Sequence, residues 1–367
     1  MTTRPALLLK VAVFTVTVLF SQPSAAQLSA DQGSYLSALP PTSHDKVMPG
    51  NNSVLSTPKI ITDSLYGLNG SREQQRLLDY LKDLGIPDQQ YKYQSNKKFY
   101  YHLANVFARL RLYPLAMKCF FKAVRVNSAG VDSSNLSAVS LDHSSHGSFS
   151  LSSKDDSIVG KHALILKTKP RRIKSKPTNF HQISSHFNDG KTAMAYAMLF
   201  HVKQPAPGKR KIFVWVNTGH TFITLIKYNT DSTYASASFG FYPKKDQLLS
   251  ATPIFPATSA TFKDDAGHLW DEVLGKFISR RKFERILELT KNFEGMEYNL
   301  NRQNCTDFGL QAASLAGIHI ADTFGKWPLG RGNNPAVTGQ SILMGKIINE
   351  AVETSEEIFI DDTVVYH

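Results

Sequence analysis

Residues 219–242 read GHTFITLIKYNTDSTYASASFGFY, and their pattern decides the fold class. β-Branched and aromatic residues dominate Ile212 to Tyr228, interrupted at Asn217-Thr218-Gly219, and Thr233 to Tyr242. Asn229-Thr230-Asp231-Ser232 between them is turn chemistry, so the stretch predicts a β-hairpin. Upstream, His162 to Leu166 reads as a strand. Lys191 to Val202, with Ala193, Ala195, Ala197, Met198 and Phe200, reads as a helix ended by Gln204-Pro205-Ala206-Pro207-Gly208. Downstream, a strand from Leu269 to Ile278 precedes a helix that Ser279 opens. That helix carries Phe283, Ile286, Leu287 and Thr290 on one face and breaks at Gly295; Tyr298-Asn299-Leu300 is extended. Residues 161–350 thus predict one α+β domain, with 351–367 as a tail.

The 367 residues are 42% hydrophobic and 20% charged, which excludes a wholly disordered chain, a collagen-like repeat and a polytopic membrane protein. Two Cys cannot build a disulfide framework or a multi-cysteine zinc module. The net charge of +12 favours anionic partners: nucleic acid, anionic lipid or anionic cell-wall polymer. Residues 1–26 read as a secretory signal peptide, with Arg4 and Lys10, an apolar run from Val11 to Phe20 and small residues Ser24-Ala25-Ala26. That run is too short for a spanning helix, so no transmembrane anchor is expected after processing. Export to the periplasm or the extracellular space disfavours a nucleic-acid role.

Residues 27–70 read as a flexible leader, and 71–127 as a helical region. Within it Ser71 and Gln74 have capping-box spacing, and Leu77, Leu78, Leu81 and Leu84 line one stripe. Residues 99–127 contain two apolar helical stretches broken at Leu112-Tyr113-Pro114. With Leu103-Ala104, Phe107, Tyr113, Ala116, Phe120 and Ala123 in place, the pair resembles one tetratricopeptide repeat, which implies a partner-binding surface. A plain helical hairpin satisfies the same residues. One repeat cannot bury its own face, so either degenerate neighbours exist or the pair docks on another domain. The Ser-rich segment 128–160 reads as a linker, and a chain beginning near Ser157 is expected to fold alone. His143 and His146 inside it lack further ligands, so no metal is expected. The basic run from Lys167 to Lys176 suits either an anionic polymer or solvent.

Chemistry concentrates in Asn301-Arg302-Gln303-Asn304-Cys305-Thr306-Asp307-Phe308. Asn304 as N-cap and Asp307 three residues on make Cys305 the first residue of a helix running to Ala316 and stopped by Gly317. A thiol there meets unpaired N–H groups and the positive helix end, which favour a thiolate. His220, opening a strand, is the candidate base. Together GHTFITL, a following strand ending Phe239-Gly240-Phe241-Tyr242-Pro243, and NCTDF resemble the circularly permuted papain-like superfamily of NlpC-type cell-wall peptidases and lecithin retinol acyltransferases. The resemblance covers about residues 185–345. It implies an antiparallel sheet packed on the Cys-bearing helix, Cys305 as nucleophile, His220 as base, and a polar residue on the next strand orienting the His. Ser236 and Ser238 lie on that strand and His268 and Asp271 at the one beyond; Ser238 is taken as the orienter.

A Cys119–Cys305 disulfide would quench the nucleophile, and the Asn304-Cys305-Thr306 sequon would place a glycan on a helix cap; neither is expected. Gly325 to Gly332 lacks phosphate-loop spacing. Pro328 to Gly339 is expected as a surface loop, with Trp327 lining a groove or capping the core. The expectation is a secreted cysteine amidase or peptidase without cofactor, acting on a peptide or acyl substrate, with an exported non-catalytic adaptor as the alternative.

Overall fold

The hairpin forms as expected. Strand β3 (His220–Asn229) pairs antiparallel with β4 (Tyr234–Pro243), Thr224 opposite Ser238, and the Asn229 N–H donates to the Thr233 carbonyl across the turn. The computed structural model describes residues 79, 81, 96–128, 175–214, 217–244, 250–350 and 357–361, all within the unit Lys59–His367. The signal segment, the leader, the Ser-rich linker with His143 and His146, the strand His162–Leu166 and the basic run as far as Lys174 lie outside the described residues.

Around the hairpin lies one antiparallel sheet. Its order is β1 (Pro177–Thr178), β5 (Ala257–Asp264), β4, β3, β2 (Ala193–Lys203), β6 (Glu272–Ile278) and β12 (Phe359–Asp361), with β7 (Glu297–Asn299) also pairing β5. Two expectations are corrected here. Lys191 to Val202 is not a helix: Ala193–Lys203 is a central strand between β3 and β6. Ala197 and Leu199 face one apolar layer while Met198, Phe200 and Val202 face the other, so the polar alternation that marks a half-buried strand is absent. The expected tail contributes β12, whose Phe359 is fully buried.

Helices cover both faces. On one, α1 (Asn96–Arg109) and α2 (Tyr113–Ser128) form the expected antiparallel pair, and their Phe99, Leu103, Phe107 and Met117 share a core with Leu199, Phe222, Ile226 and Val273 of the sheet. The Tyr228 hydroxyl donates to the Pro114 carbonyl at 2.7 Å, and Arg109 grips Asp361 through Nε and Nη2 at 2.8 and 2.9 Å. The helical pair thus finds in the sheet the apolar partner that it cannot supply itself. This revises the expectation of independent folding from Ser157, because such a chain would expose that face. Leu81 joins the same core. On the other face, α4 (Arg280–Phe293), α5 (Cys305–Ala316) and α6 (Pro335–Leu343) pack on Met198, Phe200, Ile223 and Leu225 through Phe283, Ile286, Phe308 and Ile342. The short helix α3 (Phe180–Ser185) adds Ile183 to this layer.

Ser279 caps α4 as expected. The expected loop Pro328 to Gly339 instead contains β10 (Gly330–Asn333), paired with β9 (Phe324–Trp327), and the start of α6. Asn334 and Pro335 are an N-cap followed by a helix-opening Pro, a signal present in the sequence. β8 (Ile318–Ile320) and β11 (Ile347–Asn349) form a further pair. Among the described residues no helix is long and apolar enough to cross a membrane.

Phe107 is fully buried in the layer between helices and sheet. Phe107→Ala is expected to lower unfolding free energy in urea by about 3–5 kcal/mol. A chain starting at Ser157 is expected to lose the sharp cooperative transition of the full chain.

Candidate functional site

Helix α5 begins as its sequence predicts. The Asn304 side-chain oxygen accepts from the backbone N–H groups of Thr306 (2.8 Å) and Asp307 (3.2 Å), and the Asp307 carboxylate accepts from the Asn304 N–H at 2.9 Å. This reciprocal capping box makes Cys305 the first helical residue. The Asn304 amide nitrogen donates to the Leu300 and Asn333 carbonyls, at 3.0 and 2.9 Å, so it has no capacity left for a glycan. At Gly309 a Cβ would lie 2.6 Å from the Thr221 methyl and 2.8 Å from the Phe200 ring. Its bare backbone lets α5 lie close on β3, and the Thr221 and Thr306 hydroxyls meet at 3.2 Å.

The first residue of β3 is His220, and the structure brings it to Cys305. The imidazole and the thiol act on each other's charge, the Thr306 hydroxyl lies 4.0 Å from the sulfur, and the Thr221 N–H also favours the thiolate. His220 Nε2 lies 3.0 Å from Asp265 Oδ2, which leaves Nδ1 for the thiol. Cys305 and His220 are 7% and 6% exposed, and Asp265 is fully buried. The ring lies nearly parallel to Phe222, centroids 5.8 Å apart, with Tyr242 at 4.2 Å and His268 at 5.0 Å. Beneath it is Gly240, where a Cβ would come within 2.5 Å of His220 Nε2 and 2.6 Å of Asp265 Oδ2. The pair exists only because that position has no side chain.

Ser238 is not the orienting residue. It pairs with Thr224, four residues along β3 from His220, a distance of about 13 Å in an extended strand. Its hydroxyl meets Thr224 Oγ1 at 2.8 Å, and that hydroxyl meets His201 Nε2 at 2.9 Å, a separate buried chain. The orienting position is filled by Asp265, directly after β5, whose other oxygen accepts from the Tyr242 and Ser175 hydroxyls at 2.7 and 2.8 Å. The Asp264-Asp265-Ala266-Gly267 turn closing an alternating segment was the available signal for it. Ser236, His268 and Asp271 do not hold the ring. His268 Nδ1 donates to the Leu269 carbonyl, and Asp271 accepts from Lys203 and the Gln204 N–H. Trp327 is buried on the inner side of its hairpin, which fits the core-capping alternative.

The electrostatics follow from these contacts. Burial alone would discharge His220, but the Asp265 charge and hydrogen bond, joined by Cys305, lift its pKa to about 9. Burial likewise resists the Cys305 thiolate, and His220, the Thr221 N–H and the Thr306 hydroxyl together hold the thiol below its ordinary range. Asp265 is opposed by burial too, yet His220 and Tyr242 keep its carboxyl below the usual value. Burial first, then the Cys305 charge, push the Tyr298 phenol well up, so it stays protonated beside Cys305. Sequence reading missed Tyr298 as well as Asp265. Cys119 and Cys305 are not joined in a disulfide, and among the described residues no group of three or more His, Cys, Asp or Glu side chains could hold a metal.

Asp265→Asn is expected to lower the His220 pKa by at least about one unit, read from the imidazole proton shifts in an NMR titration. Because the folded pKa is raised, the stability that His220 gains from Asp265 is full below about pH 6.5 and is lost as pH rises through about 9. Gly240→Ala is expected to lower the same pKa while leaving both ionisable groups in place. No family model, curated protein or solved structure matches this chain.

Proposed function

We propose that the protein is a secreted cysteine hydrolase of the permuted papain-like kind, acting on amide bonds, with peptide crosslinks of cell-wall material as the substrate class. The observation that carries this reading is the buried run Cys305–His220–Asp265, with the sulfur on the first residue of a capped helix. Support for the permuted order comes from His220 on β3 preceding Cys305 on α5, and from the antiparallel sheet packed on that helix. A non-catalytic adaptor has no need of a buried carboxylate held on the imidazole, whereas Asp265 supplies one.

In this mechanism the Cys305 thiolate attacks the substrate carbonyl, forming a C–S bond and moving the π electrons onto oxygen. The oxyanion donor assigned here is the protonated Tyr298 hydroxyl beside Cys305. Collapse of the tetrahedral species breaks the C–N bond, and the His220 imidazolium gives its proton to the departing amine. Water then attacks the thioester. Neutral His220 takes the water proton and Asp265 stabilises the new imidazolium. Loss of the thiolate releases the acid, and the amine or the solvent takes up the remaining proton. Resting enzyme is therefore the thiolate–imidazolium pair, and turnover is expected to fall on the acid side as Cys305 protonates and on the alkaline side near pH 9 as His220 loses its proton.

The test is iodoacetamide labelling at about pH 6, combined with a titration of thiolate ultraviolet absorbance that does not depend on reagent access. Cys305 is expected to label at least about tenfold faster than a free peptide thiol. The absorbance should disappear in Cys305→Ala, persist in Cys119→Ala, and shift to the ordinary thiol range in His220→Gln. A wild-type titration at the ordinary thiol pKa would overturn the proposal.

A further inference from the structure

The β9–β10 hairpin has two unlike faces. Gly325 opposite Gly332, and Trp327 opposite Gly330, form the inner face, where Gly330 and Gly332 lie against Asn301. On the outer face Lys326 stands directly opposite Arg331, both exposed, and neither has an acidic partner among the described residues. Like charges at facing positions repel, so the hairpin is suited to a surface that brings negative charge to it. Its tip carries Leu329, 76% exposed and held at φ 66°, and its outer edge carries Phe324, 61% exposed. Phe324 also lines a shallow recess of about 200 Å³ with Arg210, Met344 and Lys346; Met344 is 60% exposed, and Lys346 pairs with Asp322.

We propose that this face docks on an anionic phospholipid membrane. Arg210, Lys326 and Arg331 would meet the headgroups, while Leu329, Phe324 and Met344 enter the boundary of the acyl chains. Charge alone would suit a soluble polyanion equally. Three large apolar side chains among the cations gain nothing from a polyanion, and they gain from transfer into an apolar phase. The hairpin also braces the helix that bears Cys305, since the Asn333 carbonyl accepts from Asn304 and the Asn333 amide donates to Asp307 at 2.6 Å. Docking there holds the site next to the lipid surface. The proposal does not depend on thiol chemistry.

The test is co-sedimentation of the full chain with phosphatidylcholine vesicles containing about 30 mol % phosphatidylglycerol in about 0.1 M salt, against phosphatidylcholine alone. Binding is expected only to the anionic vesicles. It should fall by about fivefold for each charge removed in Lys326→Gln and Arg331→Gln, and by at least as much in Leu329→Asp. Cys305→Ala is expected to bind as the wild type does, which separates this proposal from the hydrolase reading. The apolar run Val11 to Phe20 is common to all variants, so differences among them report the hairpin. Equal binding to both vesicles by all variants would overturn the proposal. So would a Leu329→Asp chain that binds like wild type while polyphosphate displaces both, since that result marks a polyanion site.

Discussion

The contact between His220 and Asp265 makes heavy demands on its surroundings. Two ionised groups are held out of water, and each loses solvation that their mutual attraction repays only when the remaining hydrogen-bonding capacity is also met. Here it is met. One Asp265 oxygen takes the imidazole and the other takes the hydroxyls of Tyr242 and Ser175. The residues around the pair follow from that: no side chain at Gly240, a phenol on the same strand, and a hydroxyl from the segment entering β1. Buried ion pairs are weak contributors to stability, since well-packed apolar residues often do as well. A fold selected only for stability has no need of this one, and its effect is exerted on the Cys305 sulfur.

That effect also needs a helix that starts in one place. The capping box sets which residue is first, Gly309 sets how close the helix comes to β3, and Asn333 fixes the cap from the far side. These three constraints act at different levels: local hydrogen bonding, close packing of helix on sheet, and a tertiary bond from a neighbouring hairpin. They agree, which is the condition under which a sequence specifies a single arrangement.

Local signals were the legible ones. The caps at Ser279 and Asn304, the stop at Gly317 and the turn after Asn229 depend on residues within a few positions of each other, and each stands where its sequence places it. Cys305 and His220 were legible for the same reason, being the first residues of their elements. β2 was not. A central strand covered on both faces loses its alternation, and Ala, Met and Leu are good helix formers, so local propensity pointed the wrong way until the sheet decided it. Asp265 was obscured by register. The pairing of β4 carries Ser238 away from the ring, whereas the carboxylate arrives from the end of the next strand, through a turn that only the folded sheet brings back to His220.

The helical pair docks on the sheet, one of the two outcomes that its unburied face allowed. Its docking on the sheet has a further consequence for the site. Arg111 donates to the Gly267 carbonyl at 2.8 Å, and the Arg109 guanidinium lies over the Trp270 ring, 4.2 Å from its centroid. Both contacts fall on the connection between β5 and β6, the same short segment that begins with Asp265 and carries His268. The hairpin thus holds from outside the loop that orients the imidazole from inside. Phe222 adds a second link, lying against the His220 ring while belonging to the core that the helices bury. An undocked helical pair is free to offer its apolar face to a partner; this one has buried it on the wall behind His220, and the angle of the ring toward the sulfur depends on that packing.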